Sequence, residues 1–321
     1  MKLCNGVFEG GGVRGIGHVG AACRMEQAGY RFVDLAGSSA GAFVAALLAA
    51  GYRCGELKQE METLNYLRFK GKDLVDHFGA AGKILSLLWT LGIYNTDYLE
   101  MWMSRMLEKK GIVTFRDLAG TGRRLFITVS DVTEKRLLVF PGDAEQFGMD
   151  PGDFPVALAV RMSVSIPVFF EPARMRDRRG RLHLLVDGGL LSNHPMWTLD
   201  NGITAPVRPT FGFRFQDGKE ELCSQACQAG PNLADYLKAI VSTCLDAVDN
   251  NHVSQGDYAR TIWIPTVIED GEKKKKISST DFDITKEESE ALFANGCDAA
   301  DAFLRTWDFE RWKAKYRDLI G

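Results

Sequence analysis

The sequence predicts an α/β fold with a mostly parallel central sheet covered by helices. The first fifty residues alternate short β-prone runs with helical patterns, the connections between them are tight glycine turns, and β-branched runs return after residue 120. A β-α-β-α opening of this kind needs crossovers that lay helices on the faces of a parallel sheet.

The elements follow in order. Residues 3–8 are β-prone and stop at Gly10-Gly11-Gly12. Residues 16–29 carry apolar side chains at helical spacing (Ile16, Val19, Ala22, Cys23, Met25) and end at Gly29, a natural C-cap. Residues 31–36 form a second strand, and 40–50 a small-residue apolar helix that stops at Gly51. Residues 55–120 read as a helical insertion with loops at Gly71, 79–82 and Gly111. The sheet pattern resumes at 125–131, with 136–140 as a hairpin partner ended by Pro141-Gly142. A helix over 155–165 ends at Pro167, and 182–186 and 210–215 are further strands. Beyond them, helices are expected over 233–250 and from Thr285, where Thr285 and Glu288 make a capping box. The simplest division is a catalytic core over 1–220 and a helical extension over 221–321 packed on it.

Bulk properties exclude several classes. The chain has 321 residues, 45% hydrophobic and 25% charged, which suits a globular protein with an ample core. A net charge of −3 offers no electrostatic footprint for nucleic acid, so no nucleic-acid partner is expected. The seven cysteines (Cys4, Cys23, Cys54, Cys223, Cys227, Cys244, Cys297) are odd in number and scattered, and read as reduced thiols of a cytoplasm-like compartment. The close pair Cys223 and Cys227 has no second Cys or His cluster beside it and none of the five histidines has metal-ligand spacing, so neither metal nor cofactor is expected. The N-terminus reaches its glycine run before an apolar h-region could form, and does not read as a signal peptide. The longest apolar stretch, 42–50, is far short of the about 20 residues that span a bilayer. A cytoplasmic protein that touches membranes peripherally is the expectation.

The central motif is Gly37-Ser38-Ser39-Ala40-Gly41, a G-x-S-x-G lying between a predicted strand and a predicted helix. That context lifts Ser39 above the sheet edge on a sharp turn, and the following helix aims its first amides at the site. Ser38 cannot take the role, because only Ser39 has glycine two residues away on both sides.

The second motif is Gly10-Gly11-Gly12-Val13-Arg14-Gly15, which fits G-x-G-x-x-G. A dinucleotide site would use Asp34 to hold a ribose. Asp34, however, falls inside its strand, and that strand runs straight into the serine turn. The glycines are better used as amides close to a developing oxyanion beside Ser39, with Arg14 adding charge or anchoring the loop.

The third motif is Asp187-Gly188-Gly189, at the end of an apolar strand. Alone it reads as a turn. A serine nucleophile needs a base, though, and no histidine occupies a motif position.

Together the three motifs resemble the patatin-like phospholipases, as does the segment 161–172, RMSVSIPVFFEP. The resemblance covers about residues 3–200 and implies a three-layer α/β/α fold. It also implies a Ser39–Asp187 dyad, an oxyanion hole from Gly10, Gly11 and Gly12, and hydrolysis of phospholipid or other acyl-lipid esters through an acyl-enzyme. Glu9 departs from the family, several of whose members carry Asp or a small residue before the glycines.

Two alternatives stay open. One is an α/β-hydrolase triad of Ser39, Asp187 and His194 or His252. The other is a lipid-binding protein of the same fold without activity. The apolar run 84–94 is a buried helix or a lipid-facing wall. Two basic clusters, Arg174, Arg176, Arg178, Arg179 and Arg181, and the lysines 273–276, are solvated loops or contacts for anionic headgroups.

Overall fold

The computed structural model describes residues 1–63, 91–200, 206–216, 254–270 and 273–317, with isolated positions at 236, 240, 243 and 244. The opening matches the sequence pattern to within a residue or two: β1 (Lys2–Phe8), α1 (Gly15–Gln27), β2 (Tyr30–Gly37) and α2 (Ala40–Ala49). Gly29 and Gly51, with φ of +87° and +95°, end the two helices in left-handed backbone that a side chain would strain.

α3 (Cys54–Thr63) begins the insertion, which continues after 91 with β3 (Gly92–Tyr94), α4 (Asp97–Glu108) and α5 (Phe115–Gly120). The expected helix over 84–94 lies mostly outside the described residues, and its last three residues are strand β3. β4 (Arg124–Asp131) and β5 (Arg136–Phe140) form the expected antiparallel hairpin. There follow α6 (Val156–Ser163), β6 (Val168–Phe170), β7 (Ala173–Arg176), β8 (Leu182–Asp187), α7 (Trp197–Asp200) and β9 (Thr210–Gln216). The last third holds α8 (Gln255–Ala259), β10 (Thr261–Pro265), β11 (Val267–Asp270), β12 (Lys273–Lys276), α9 (Lys286–Leu304) and α10 (Phe309–Tyr316).

The central sheet runs β10-β9-β1-β2-β4-β8-β7, with β5 also paired to β4. β10, β9, β1, β2 and β4 are mutually parallel, while β5, β7 and β8 join antiparallel. β1 and β9 are buried along both faces over most of their length, as a sheet covered by helices on both sides requires. The parallel strands β1 and β2 end beside each other, Phe8 opposite Gly37, and this edge carries the site.

Among its described residues, the extension beyond 221 carries strands as well as helices. It supplies β10 to the sheet edge, with Ile262 opposite Phe213, and the lysine run pairs as β12 against β11. Segments of four or five residues show too little periodicity to separate strand from loop. α9 starts at the predicted box, with Thr285 and Glu288 capping each other, and packs along α1. The expected helix over 233–250 falls mainly outside the described residues.

The expectation that every thiol is reduced is overturned. α1 lies against α3, and Cys23 is bonded to Cys54 in a disulfide with Cα atoms 4.6 Å apart. A separation of 31 residues between scattered cysteines gives no sign of this pairing. No described helix is long and apolar enough to cross a membrane.

The α1–α9 contact depends on absent side chains. A Cβ on Gly296 would lie 2.0 Å from the Gly17 carbonyl oxygen, and one on Gly20 would lie 2.0 Å from the Phe293 carbonyl oxygen. Gly296→Ala must therefore push the two helices apart. It should destabilise the fold by about 1–3 kcal/mol, read as a lower urea midpoint at unchanged slope.

Candidate active site

Ser39 sits where β2 turns into α2, with φ +52° and ψ −126°, a sparsely populated backbone for a residue with a side chain. The turn is packed too tightly for side chains on either flank. A Cβ on Gly37 would lie 2.4 Å from the Gly41 carbonyl carbon, and one on Gly41 would lie 2.1 Å from the Phe8 carbonyl oxygen. This is the physical content of the G-x-S-x-G pattern. Ser38 is fully buried, whereas Ser39 lines a cavity.

The turn is tethered from α6. The Ser39 N–H donates to Ser163 Oγ at 2.9 Å, and the Ser163 hydroxyl donates to the Thr128 carbonyl at 2.8 Å. Two residues on, the Ser165 carbonyl accepts from the Asp187 N–H at 2.9 Å. One short segment thus fixes both candidate residues. Sequence reasoning missed Ser163, although the segment containing it carried part of the family resemblance.

Asp187 ends β8 and is 1% exposed. Its Oδ1 accepts the Gly189 N–H at 2.7 Å, while Oδ2 makes no hydrogen bond of ordinary geometry. Ser39 is near enough for its hydroxyl to favour the charged carboxyl, so the two side chains face each other without a fully formed bond. Burial pushes the Asp187 carboxyl up to about 7, against the opposing pull of Ser39 and the Gly189 amide. Gly188 is required because a Cβ there would lie 2.2 Å from the Thr128 carbonyl oxygen on β4.

The glycine loop lies beside Ser39. An ideal Cβ on Gly10 would come within 3.0 Å of the Ser39 Cβ. The Gly10 amide is already committed, donating to the Asn193 carbonyl at 3.0 Å. This narrows the predicted donor set, because the Gly11 and Gly12 amides donate no hydrogen bond among the described residues. Arg14 anchors the loop: its backbone N–H and its Nε both donate to the Gly11 carbonyl, and its guanidinium lies over the Phe215 ring. In a trans peptide, fixing that carbonyl aims the Gly12 N–H the opposite way. Gly15 packs against Ala40, the first residue of α2, whose own amide has no intrahelical acceptor.

Glu9 accounts for its unusual position. Its carboxylate accepts from Arg214 Nε at 3.1 Å and from the Phe215 N–H at 2.7 Å, in a buried pair that ties the loop to β9. His18 donates from Nε2 to the Glu9 carbonyl at 2.8 Å, and burial pushes its pKa down to about 3, so it is neutral at pH 7.

The alternatives meet specific obstacles. Asp34, the acid a dinucleotide site would need, is held in a buried cluster by Arg124 and Arg208 at 2.6–2.9 Å. The His194 ring packs against Gly212 of β9, and desolvation lowers its pKa well below the usual value. His252 lies outside the described residues.

An apolar cavity of about 70 Å³ opens at Ser39, walled by Phe43, Val44, Met61, Leu99, Ile166, Phe170 and Phe282. The same C-terminal loop that brings Phe282 closes over the glycines. The Ser279 carbonyl accepts the Val13 N–H at 3.1 Å, and a Cβ on Gly12 would lie 1.8 Å from that oxygen. Among the described residues no cluster of three His, Cys, Asp or Glu side chains could hold a metal ion.

Fold and site together define an α/β protein with a serine elbow and a buried aspartate at the carboxyl edge of its sheet. The chain belongs to the patatin-like phospholipase family, whose sequence profile matches residues 6–200. It is 34% identical over 310 residues to the uncharacterized protein YqhO of Bacillus subtilis, covering 95% of this chain and 99% of that one. Identity is 24% over 304 residues to the uncharacterized protein R571 of Acanthamoeba polyphaga mimivirus, covering 92% of this chain and 91% of that one. Among solved structures, the fold is similar to VipD from Legionella pneumophila, with a TM-score of 0.56, 18% identity, and 95% and 67% of the two chains covered. It is also similar to ExoU of Pseudomonas aeruginosa in its complex with SpcU, with a TM-score of 0.50 and 18% identity; 95% of this chain spans about half of that one, 51%.

Ser163→Ala would leave the buried Ser39 N–H without its acceptor, a loss of about 1–3 kcal/mol. The expected result is a melting temperature below that of wild type, measured by thermal unfolding of the two proteins side by side.

Proposed function

We propose that this protein is a lipid acyl hydrolase of the phospholipase A or lysophospholipase kind, using Ser39 and Asp187 as a dyad. The observation that carries the reading is a strained serine facing the unpartnered oxygen of a fully buried carboxylate, at the mouth of an apolar cavity.

The chemistry follows from that geometry. An acyl chain enters the apolar cavity and brings its ester carbonyl over Ser39. Asp187 Oδ2 takes the hydroxyl proton as Ser39 Oγ attacks the carbonyl carbon. Negative charge develops on the carbonyl oxygen, where the Gly11, Gly12 and Ala40 amides are available to it. The alcohol leaves with the proton from Asp187. Water then attacks the acyl carbon as the same carboxylate takes its proton, and the Ser39 oxygen leaves with that proton, which frees the fatty acid and restores serine and carboxylate. Gly10 contributes loop shape rather than a donor, since its amide is committed to Asn193.

A fluorophosphonate should label the protein at Ser39 alone. Ser39→Ala should abolish both labelling and ester hydrolysis while the protein stays folded, and Ser38→Ala should retain both. His194→Ala should keep the label and most of the kcat/KM. A fall in the His194 variant as deep as that of Asp187→Asn would instead favour a Ser-His-Asp triad.

The raised Asp187 pKa fixes a pH dependence. The base form is the carboxylate, so kcat/KM should rise about tenfold per pH unit toward neutrality and level off above about 7. Stability runs the other way. The folded state holds the Asp187 proton more tightly than the unfolded chain, so this contribution is complete below about pH 4 and is lost as pH rises through about 7. Asp187→Asn should therefore melt at a higher temperature than wild type at pH 8, with the difference shrinking toward pH 4, while hydrolysis is lost.

A further inference from the structure

We propose that a second site, distinct from the Ser39 cavity, binds a phosphate group. It lies between the β7–β8 and β4–β5 hairpins and the turn that follows β5. A polar cavity of about 340 Å³ opens there, lined by Arg136, Gln146, Arg178, Arg179 and His183 together with Glu134, Asp177 and Arg181.

One buried polar donor in this cavity lacks a partner. His183 is 2% exposed and lies between two carboxylates, donating from Nδ1 to Asp131 at 2.6 Å and presenting Nε2 to Asp177 at 3.6 Å, so it is committed within the protein. Gln146 accepts from Arg136 through Oε1, which leaves its amide Nε2 buried and unpartnered. Buried polar groups are satisfied in nearly all native structures, so such a donor beside unpaired guanidiniums points to a missing ligand.

The charges select its sign. The two carboxylates in the cavity are both engaged by Arg181, at 2.8 Å from Glu134 and 2.8 Å from Asp177. Asp177 is further saturated by the Arg179 and Arg181 backbone N–H groups. Arg136 is partly balanced by Asp143 at 3.8 Å. The Arg178 and Arg179 guanidiniums make no ion pair or hydrogen bond among the described residues. The Arg178 backbone N–H donates to the Gln146 carbonyl at 3.2 Å, which holds the two sides of the cavity in register. Two free guanidiniums and an amide N–H facing one space fit a tetrahedral oxyanion, since guanidinium groups grip phosphate oxygens in pairs.

Position separates this site from the catalytic one. His183 and Asp187 lie on the same face of β8, four residues and about 13 Å apart. In a glycerolipid the phosphate is only a few bonds from the ester. A phosphate held beside His183 therefore belongs to a different molecule from the one whose ester reaches Ser39, either a neighbouring lipid or a soluble phosphate compound.

The test uses the whole protein with two variants, Arg178→Ala/Arg179→Ala and Gln146→Glu. The latter keeps the acceptor for Arg136 but replaces the amide donor with negative charge. Inorganic phosphate at about ten times its Kd should raise the wild-type melting temperature by about 2 °C over chloride of equal ionic strength. Both variants should lose that shift while keeping wild-type turnover of a soluble ester. Sedimentation with phosphatidylglycerol and phosphatidylcholine vesicles identifies the source. Binding to the former that falls at least fivefold in both variants makes the site a lipid-headgroup contact. A lost phosphate shift with unchanged vesicle binding makes it a site for a soluble phosphate. A phosphate shift absent from wild type, or equal in all three proteins, overturns the proposal.

Discussion

The closeness of β2's end to β1's end is the constraint on which the rest of the site depends. Gly41 sits against the Phe8 carbonyl with no room for a methyl group, and the Ser38 N–H donates to that same oxygen at 3.3 Å. The contact forces the chain to reverse in one residue, and Ser39 is that residue. The strain at Ser39, the direction of α2 and the nearness of the glycine loop all follow from it. Strain of this kind costs on the order of 1–3 kcal/mol and persists only where the surroundings over-determine it. Here the over-determination is visible in the α6 tether through Ser163 and in the sheet pairing on both sides of β1.

A second layer of support is electrostatic. The glycine loop has no side chains of its own to hold it, so neighbouring residues do. Glu9 fastens its start to Arg214, and Arg14 grips the Gly11 carbonyl from inside. Both charged groups are buried, and each has a compensating partner or an aromatic face, as a buried charge requires. The loop is thereby rigid before any ligand arrives. Preorganised amides stabilise a developing charge without a reorganisation cost, so two buried ions on so short a segment fit the donor role proposed for it.

Legibility in the sequence tracked the range of the interactions. Elements set by local chemistry were readable: the β-α-β-α opening from its glycine stops, the elbow from its flanking glycines, α9 from the Thr285–Glu288 box. The glycine loop and Asp187 became readable only as part of a combination, because each piece alone also describes an ordinary turn. Features made by distant residues left no trace. Ser163 is a serine among several until the fold brings it 2.9 Å from the Ser39 amide. The Cys23–Cys54 bond joins two helices whose cysteines share no motif. The five-residue β10 had no assignment from the sequence, and its place in the sheet comes from pairing with β9. Glu9 was noticed as a departure, and its meaning required Arg214, 205 residues away.

The reach of the Ser279–Phe282 loop has a consequence for how the protein comes into being. The elbow and the glycine loop lie in the first 41 residues, Asp187 follows much later, and the loop that closes both the glycines and the cavity is contributed near the end of the chain. Contacts of such long sequence separation form late, after most of the chain-closure entropy has been lost. During synthesis the serine and its turn leave the ribosome far ahead of Phe282, the last residue of the cavity wall. A chain that stops short of residue 277 holds the serine elbow and most of that wall, but lacks Phe282 and the Ser279 carbonyl that meets the glycine loop.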